Sequence, residues 1–316
     1  MKTAIVTGAN GFVGCRFVDK LADFGVAVTA LDLPGTFSKP HSRENISFIE
    51  VDLRGSSPFL ERITPGADVL FHLAWDGVQA DLRDDYHLQL QNLGASLNVL
   101  EFACQKKVKK VIMQGTISEY IGSGEPVTGQ NWPSPIEAYG AAKHAAFVLC
   151  KTFAEQMGLH FIWVTATSLY GPGRDDNNIL SYAIKTYLKG EKPSFTHLEQ
   201  MWDYLYIDDF LTALYLIGLY GQAGKNYPVA SGEARSLKEY ITAIRDIIDP
   251  TLPLGVGEKP YKSSKAEHAV FVIEELVKDT GFRPEYSFEN GITKMIEYFK
   301  TVINEKLDGG LEYEEN

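Results

Sequence analysis

The feature that most constrains the fold is a glycine-rich run that follows a short apolar stretch at the start of the chain. Residues 6–14 read Val-Thr-Gly-Ala-Asn-Gly-Phe-Val-Gly, between a predicted strand and a predicted helix. In such a turn the first glycine permits a sharp bend, the second lets backbone N–H groups approach a pyrophosphate, and the third lets the helix pack close to the sheet. Glycine-rich turns before helices also occur without a ligand. The run predicts a dinucleotide site built from Gly8, Asn10, Gly11, Phe12, Val13 and Gly14.

A carboxylate at the end of the second predicted strand favours NAD over NADP. Asp32 follows the apolar stretch 26–31, eighteen residues beyond Gly14, where it can accept both hydroxyls of an adenosine ribose. A 2′-phosphate would meet its negative charge, and residues 33–37 contain no arginine to reverse that preference. The alternative interpretation makes Asp32 an ordinary strand-end residue beside a Pro-Gly turn, and Arg16 leaves one cation near the predicted site.

Strand-like and helix-like stretches alternate through the first half of the chain. The pattern is typical of an α/β fold, here a Rossmann-type doubly wound parallel sheet with helices on both faces. We predict an NAD-binding domain over 1–170, a smaller C-terminal α/β substrate-binding lobe over 171–304 and an acidic tail over 305–316. The helix near 208–220 is predicted to return to the first domain. Strands are predicted near residues 3–7, 26–31, 46–51, 68–73, 108–114 and 160–166, with the longest helices at 84–107 and 136–157.

Composition excludes several classes of partner. The 316 residues carry a formal charge of −11, which argues against binding to nucleic acid or to an anionic membrane. Cys15, Cys104 and Cys150 lack metal-ligand spacing and read as reduced, buried residues. The histidines and acidic pairs likewise lack such spacing, so we predict no metal. The N-terminus does not read as a signal peptide, and we predict a cytoplasmic protein.

Tyr139 and Lys143 are the candidate pair for proton transfer. Spaced four apart on a predicted helix, they share one face. A tyrosine, with a reference pKa of about 10, is a weak base at neutral pH, and a nearby lysine and a positive nicotinamide would stabilise its phenolate. The spacing recurs at Tyr261 and Lys265, in a Pro-bounded polar stretch outside the predicted sheet. We therefore predict that Tyr139 moves a proton while NAD moves a hydride; the alternative is an exposed helix pair without a role.

A third group is predicted where the fifth strand ends. Thr116 and Ser118 both follow that strand, at the carboxyl edge where open α/β sheets bind ligands. A hydroxyl there could hydrogen-bond the reacting oxygen as a carbonyl forms or disappears. Strand-end hydroxyls more often close turns, and the residues themselves leave both candidates open.

Taken together, these motifs resemble those of the extended short-chain dehydrogenases/reductases of the nucleotide-sugar epimerase and dehydratase family. The resemblance extends over nearly the whole chain. It rests on the three glycines, Asp32, Asp52-Leu53, His72-Leu73-Ala74, Asn92, Thr116 with Tyr120, Tyr139 with Lys143, residues 170–173, residues 202–209 and residues 281–284.

The resemblance assigns further roles to individual residues. It implies that Thr116, four residues before a strand-end tyrosine, is the catalytic hydroxyl. It also implies cofactor contacts from Asp52 and Leu53 beside the adenine, from Leu73, Ala74 and Trp75 beside the nicotinamide, and from Asn92, Tyr139 and Lys143.

Three departures from the family pattern bear on the substrate. Where dehydratases carry Asp-Glu after the catalytic threonine, this chain has Ile117 and Ser118, with Glu119 one position further. Ser168 stands in place of an asparagine, and Trp202 in place of an arginine that grips the diphosphate. With these departures included, the residues expected to contact the substrate are Trp75, Thr116, Ser118, Tyr139, Ser168, Arg174, Asn178 and Trp202.

The resemblance implies an NAD-dependent enzyme of carbohydrate biosynthesis that epimerises C4 of a nucleotide-activated hexose through a 4-keto intermediate. The alternatives are an NAD(P)H-dependent reductase of a 4-keto-6-deoxy nucleotide sugar and a dinucleotide-sensing protein without turnover. Related enzymes also imply a homodimer formed through the helices at 84–107 and 136–157.

Overall fold

The computed structural model describes residues 1–36, 43–55, 63–174, 178–261 and 268–308, with the backbone alone for 306–308. Eleven strands lie within this part of the chain. Their bounds are β1 Thr3–Thr7, β2 Ala27–Asp32, β3 Ile46–Glu50, β4 Val69–His72, β5 Lys110–Thr116, β6 His160–Ala166, β7 Ser168–Tyr170, β8 Met201–Trp202, β9 Tyr204–Tyr206, β10 Asn226–Val229 and β11 Arg235–Ser236.

Seven of these strands form one parallel sheet, in the order β10-β6-β5-β4-β1-β2-β3. Successive residues of β1, an interior strand of this sheet, point to opposite faces. Ala4 and Val6 pack into a core on one face, and Ile5 packs into a second core on the other. The predicted α/β Rossmann-type sheet, covered on both faces, is confirmed.

Eight helices lie in the described residues. They are α1 Gly14–Asp23, α2 Tyr86–Gln105, α3 Ala138–Met157, α4 Ile179–Leu188, α5 Ile207–Tyr220, α6 Leu237–Ile248, α7 Glu274–Thr280 and α8 Phe288–Asp308. The helices α2 and α3 pack side by side on one face of the sheet, and α1 and α5 contribute to the core on the other. Asp85 begins α2, because its carboxylate accepts the backbone N–H groups of His87 and Leu88. None of the described helices is long and apolar enough to cross a membrane.

The sequence interpretation missed one strand of the main sheet. The strand β10 falls in the range assigned to the substrate lobe, yet it pairs in parallel with β6. It has only four residues and contains Pro228, which a central strand would not tolerate. Because β10 lies at the edge of the sheet, the missing proline N–H costs no ladder bond on its outer side.

The C-terminal part adds small ladders and helices to one face of the sheet. The strand β7 pairs with β9, and β8 pairs with β11. The core around β1 continues into α4, α6 and α8, so the proposed boundary at residue 170 stays a prediction. The helix α8 reaches Asp308, so the predicted acidic tail begins inside a helix, and its residues 309–316 lie outside the described part. The aromatic centre of the C-terminal part consists of Tyr170, Tyr204, Tyr206, Tyr240 and Phe288.

The strand order locates the place where a ligand can bind. The chain moves outward from β1 through β2 to β3, then returns to the other side of β1 with β4. The loops after β1 and β4 therefore diverge at the carboxyl edge, which opens a crevice between them.

Candidate active site

The three glycines after β1 have two distinct structural roles. Gly8 has a positive φ of +67°, and a Cβ there would lie 2.7 Å from the backbone nitrogen of Ala74. A Cβ at Gly14 would overlap the carbonyl oxygen of Gly8. At Gly11 the only close atom would be that same oxygen, at 3.3 Å. The first and third glycines are therefore needed for chain packing, whereas the second leaves backbone open to a ligand, as a dinucleotide pyrophosphate requires.

A cavity of about 440 Å³ lies against this loop at the carboxyl edge of β1, β2 and β4. The Asp32 carboxylate lines it and accepts hydrogen bonds from the backbone N–H groups of Asn10 (2.7 Å) and Leu33 (2.8 Å). An acceptor at this place fits an adenosine ribose. Ten residues expected to contact the cofactor line the cavity, namely Gly8, Asn10, Gly11, Asp32, Asp52, Leu53, Leu73, Ala74, Trp75 and Asn92.

Asn92 lines this cavity but uses its amide to hold the loop after β4. Its Oδ1 accepts the Asp76 N–H at 3.0 Å, and its Nδ2 donates to the Asp76 carbonyl at 2.9 Å. Buried His72 supports the same wall, with Nδ1 2.8 Å from the Thr7 hydroxyl and Nε2 3.1 Å from that of Ser96. Burial, with a smaller effect from Lys143, lowers the pKa of His72 to about 3. His72 is therefore a neutral structural residue near pH 7.

A second cavity, of about 620 Å³, adjoins the first and shares Gly8, Gly11 and Trp75 with it. It extends from the glycine loop to the ends of β5 and β6. The structure thus brings together most of the predicted catalytic and substrate-binding residues in a single space. The predicted catalytic and substrate-binding residues that line it are Trp75, Thr116, Ser118, Tyr139, Lys143, Ser168, Arg174 and Trp202, and Phe12, Val13 and Gly14 of the predicted dinucleotide site line it as well.

The phenol of Tyr139 is buried at the wall of this second cavity. Burial raises its pKa, and the Thr116 side chain and the charge of Arg83 both act in the opposite direction. The Thr116 hydroxyl also accepts the Ser118 N–H at 3.3 Å. Thr116 and Tyr139 line the same cavity, which places the Thr116 hydroxyl to hold the substrate oxygen that Tyr139 would protonate or deprotonate.

Lys143 occupies a different position from the one expected of a direct phenol partner. Its Nζ donates to the Gln114 carbonyl at 2.7 Å and lies 3.9 Å from the centre of the Trp75 ring. Burial lowers the pKa of Lys143 to about 7, and the Glu119 carboxylate acts against that shift. Lys143 lies one helical turn after Tyr139, and its ammonium points toward the cofactor side of the cavity, where Trp75 lies. The cation that faces the Tyr139 ring is Arg83.

Arg83 is a residue of the site that sequence reasoning missed. Its guanidinium carbon lies 5.3 Å from the centre of the Tyr139 ring, and it lines the second cavity. Its Nε donates to the Val78 carbonyl at 2.9 Å, and Nη1 lies 3.3 Å from Glu137. Arg83 stands in an acidic segment before α2, where neither spacing nor periodicity sets it apart from a surface residue.

The predicted substrate contacts at the far end of the cavity include a bonded pair. The Trp202 indole N–H donates to the Ser168 hydroxyl at 3.0 Å, which joins two of the positions that depart from the family pattern. The Arg174 guanidinium lies 5.7 Å from the centre of the Phe12 ring and supplies a cation at this end. Asn178 lies outside the cavity linings, and its side chain instead begins α4 by accepting backbone N–H groups. In the described part of the chain, no three His, Cys, Asp or Glu side chains are grouped to hold a metal ion.

Comparison with known proteins gives a consistent result. Residues 4–230 match the model of the NAD dependent epimerase/dehydratase family. A UDP-glucose 4-epimerase of Mycolicibacterium smegmatis is 25% identical over 94% of this chain and 98% of its own. A UDP-glucuronate 4-epimerase of Thermodesulfobacterium geofontis is 26% identical over 95% of this chain and 96% of its own. The solved UDP-glucose 4-epimerase of Thermotoga maritima has the same fold, with a TM-score of 0.84, 24% identity and coverage of 95% and 99%.

Proposed function

Because this chain belongs to the NAD dependent epimerase/dehydratase family, we propose that it oxidises and re-reduces C4 of a nucleotide-activated hexose and so inverts that centre. The observation that carries the proposal is that Thr116, Tyr139 and Lys143 line one cavity, which adjoins the dinucleotide cavity. The similarity to 4-epimerases of UDP-glucose and UDP-glucuronate supports it.

Each side chain of the site has a role in this proposal. Tyr139 accepts the proton of the C4 hydroxyl, while Thr116 hydrogen-bonds the same oxygen as it becomes a carbonyl. Lys143 orients the cofactor from the Trp75 side. Bound NAD supplies the acceptor and donor of the hydride. The 4-keto sugar then rotates in the cavity, so that the opposite face of C4 is presented for return of the hydride, and Tyr139 returns the proton to the C4 oxygen.

Dehydration is a poorer fit to this site. A dehydratase needs an acid or base beside the catalytic threonine, and Glu119 is the only carboxylate among the three residues that follow Thr116. Glu119 is fully buried, bonds to Thr116 and Trp163, and lies outside the cavity linings. The remaining alternative is a reductase of a 4-keto-6-deoxy nucleotide sugar, which would use the same residues once and release the oxidised cofactor.

The experiment that separates these functions begins with the cofactor. The purified protein is denatured, and the released cofactor is identified by absorbance and mass. The native protein is then assayed against 4-hydroxy and 4-keto nucleotide sugars. We expect bound NAD and isomerisation without net change in NADH. Stoichiometric consumption of NADH or NADPH by a 4-keto sugar would instead establish the reductase.

Asp32→Ala tests the assignment of the cofactor as NAD. The ribose hydroxyls lose a charged acceptor, so we expect NAD affinity to fall by about tenfold or more. NADP should lose less or gain, because the carboxylate no longer repels its 2′-phosphate. Both affinities can be measured by titration calorimetry. Glu50→Gln is the matched control, since Glu50 ends the neighbouring strand β3 and lies outside the cavity linings. An unchanged ratio of the two affinities would contradict the assignment.

We also propose a homodimer formed through α2 and α3. Both helices expose large apolar residues, including Leu90 (62%), Val148 (47%) and Leu149 (46%). Leu149→Lys should place two like charges close to the dimer axis and reduce the mass in solution from twice 35.1 kDa to a single chain. Light scattering measures this directly. Phe24→Lys, beside α1 on the other face and 53% exposed, should leave the mass unchanged.

We propose that the protein works in the cytoplasm and in carbohydrate biosynthesis. The cysteines at 15, 104 and 150 are free, which supports a reducing cytoplasm. A C4 epimerase of activated hexoses would supply precursors for carbohydrate biosynthesis.

A further inference from the structure

A buried carboxylate lies directly behind the site and has no role in the reaction proposed above. Glu119 ends the 3₁₀ turn that follows Thr116, and its side chain is 0% exposed. Its Oε1 accepts hydrogen bonds from the Thr116 backbone N–H at 2.8 Å and from the Trp163 indole N–H at 3.2 Å. Glu119 thus holds the backbone of Thr116, which lines the second cavity, without lining either cavity itself.

The second oxygen of this carboxylate faces an imidazole. Glu119 Oε2 and His144 Nδ1 are both buried without a hydrogen bond, and they lie 3.5 Å apart. The His144 ring is held against Tyr120 and Phe147, with centroid distances of 6.4 and 5.8 Å. An unpaired carboxylate oxygen in the interior is costly, and an approach of a few tenths of an ångström completes a bond donated by Nδ1–H. Each atom is thus the partner that the other lacks.

The charge of Glu119 also acts on the reacting groups. Burial lowers the pKa of Lys143 to about 7, and Glu119 opposes this effect, which favours the charged ammonium. For Tyr139, burial raises the pKa, Thr116 and Arg83 lower it, and Glu119 and Glu137 raise it further. The charge of Lys143 in turn contributes to the lowered pKa of the buried, neutral His72. Glu119 is therefore the anion that acts on both the ammonium and the phenol.

We propose that Glu119 and His144 form a buried carboxylate–imidazole pair that positions Thr116 from behind and places a negative charge close to Lys143, the neighbour of His144 on α3. Both are positioning residues, because neither lines the cavities. His144 follows Lys143 directly on α3, so the same helix carries the Lys143 ammonium and the imidazole that pairs with Glu119. The catalytic part of this inference rests on the proposed function, whereas the charge on Lys143 does not.

Glu119→Gln removes the charge and keeps an oxygen that can accept the Thr116 and Trp163 N–H groups. The Lys143 amine can be followed by NMR in protein labelled at the lysine Cε, with its signal assigned by its absence from Lys143→Met. We expect its titration midpoint to fall by about one pH unit in E119Q. Because the charged ammonium is the active form, the alkaline limb of the kcat/KM profile should shift to lower pH by a similar amount. Glu155→Gln, at an exposed carboxylate of the same helix, should shift neither.

His144→Phe tests the pair itself, because it keeps the ring and removes Nδ1. The variant leaves the Glu119 charge unpaired and should lower the melting temperature, and combination with E119Q should recover most of that loss. Identical Lys143 titrations in the parent and E119Q would overturn the electrostatic role. An equal effect of H144F in both backgrounds would overturn the pairing. The NMR titration needs no substrate, so a failed assay of C4 chemistry with a shifted Lys143 would count against the proposed function alone.

Discussion

Replacement of Tyr139 by phenylalanine should reduce kcat by about a thousandfold, because general acid–base catalysis by a positioned group contributes roughly 10²–10⁴ in rate. The phenol is buried beside the substrate cavity, and its ring packs edge-on against that of Trp75 with 6.2 Å between the centroids, so the ring can remain in place when its hydroxyl is lost. The fold and the dinucleotide cavity should therefore be preserved. Steady-state kinetics, together with NAD titration of the same preparation, separates lost chemistry from lost cofactor.

The chain offers a matched control for this variant. Tyr261 has the same spacing to a lysine, but it is 37% exposed, and its hydroxyl contacts Glu199 and Gln200. Its partner Lys265 lies outside the described residues. We expect Tyr261→Phe to retain the parent kcat. A loss of turnover in that variant, with activity retained after Tyr139→Phe, would reverse the assignment of the acid–base group.

The dinucleotide half of the site could be predicted because its physical requirements are local. A turn after a strand needs glycines at fixed spacing, and a strand-end carboxylate such as Asp32 follows within one βαβ unit. The parallel sheet could be predicted for the same reason, since its strands are apolar runs separated by helices. Only the short edge strand β10, with its proline, gave no such signal.

The substrate half depends on contacts that sequence spacing does not encode. Thr116 and Ser118 both line the cavity, and only the folded chain brings them into the same space as Tyr139. Arg83 reaches the same phenol from the segment before α2, and the Glu119 side chain turns inward to meet His144 on α3. These contacts join separate elements across the sheet edge. Their residues look like ordinary turn or surface positions until the elements are packed.

Gly14→Ala should have the largest effect on stability among single substitutions in the glycine loop. The added Cβ would overlap the Gly8 carbonyl oxygen and lie 2.9 Å from the Ala9 Cα, both of which belong to the backbone of the turn after β1. A flexible side chain could move aside, but this backbone is held by the sheet. We expect a loss of about 3 kcal/mol in the free energy of unfolding, the upper part of the range for overpacked interiors. Denaturant unfolding of the protein without cofactor measures it.

Two further glycines separate folding from cofactor binding. At Gly94, inside α2, an added Cβ would have no neighbouring atom of its own chain within 4 Å, so Gly94→Ala should be neutral or stabilise the single chain by up to about 1 kcal/mol. Gly11→Ala brings its methyl to 3.3 Å from the Gly8 oxygen, a contact that a small shift can relieve. Its methyl instead covers backbone that a pyrophosphate must approach, so NAD affinity should fall while most of the stability is kept. The added methyl weakens NAD binding only if the pyrophosphate contacts the backbone at Gly11. If Gly11→Ala bound NAD as tightly as the parent does, the cofactor would therefore have to cross the loop at a different place.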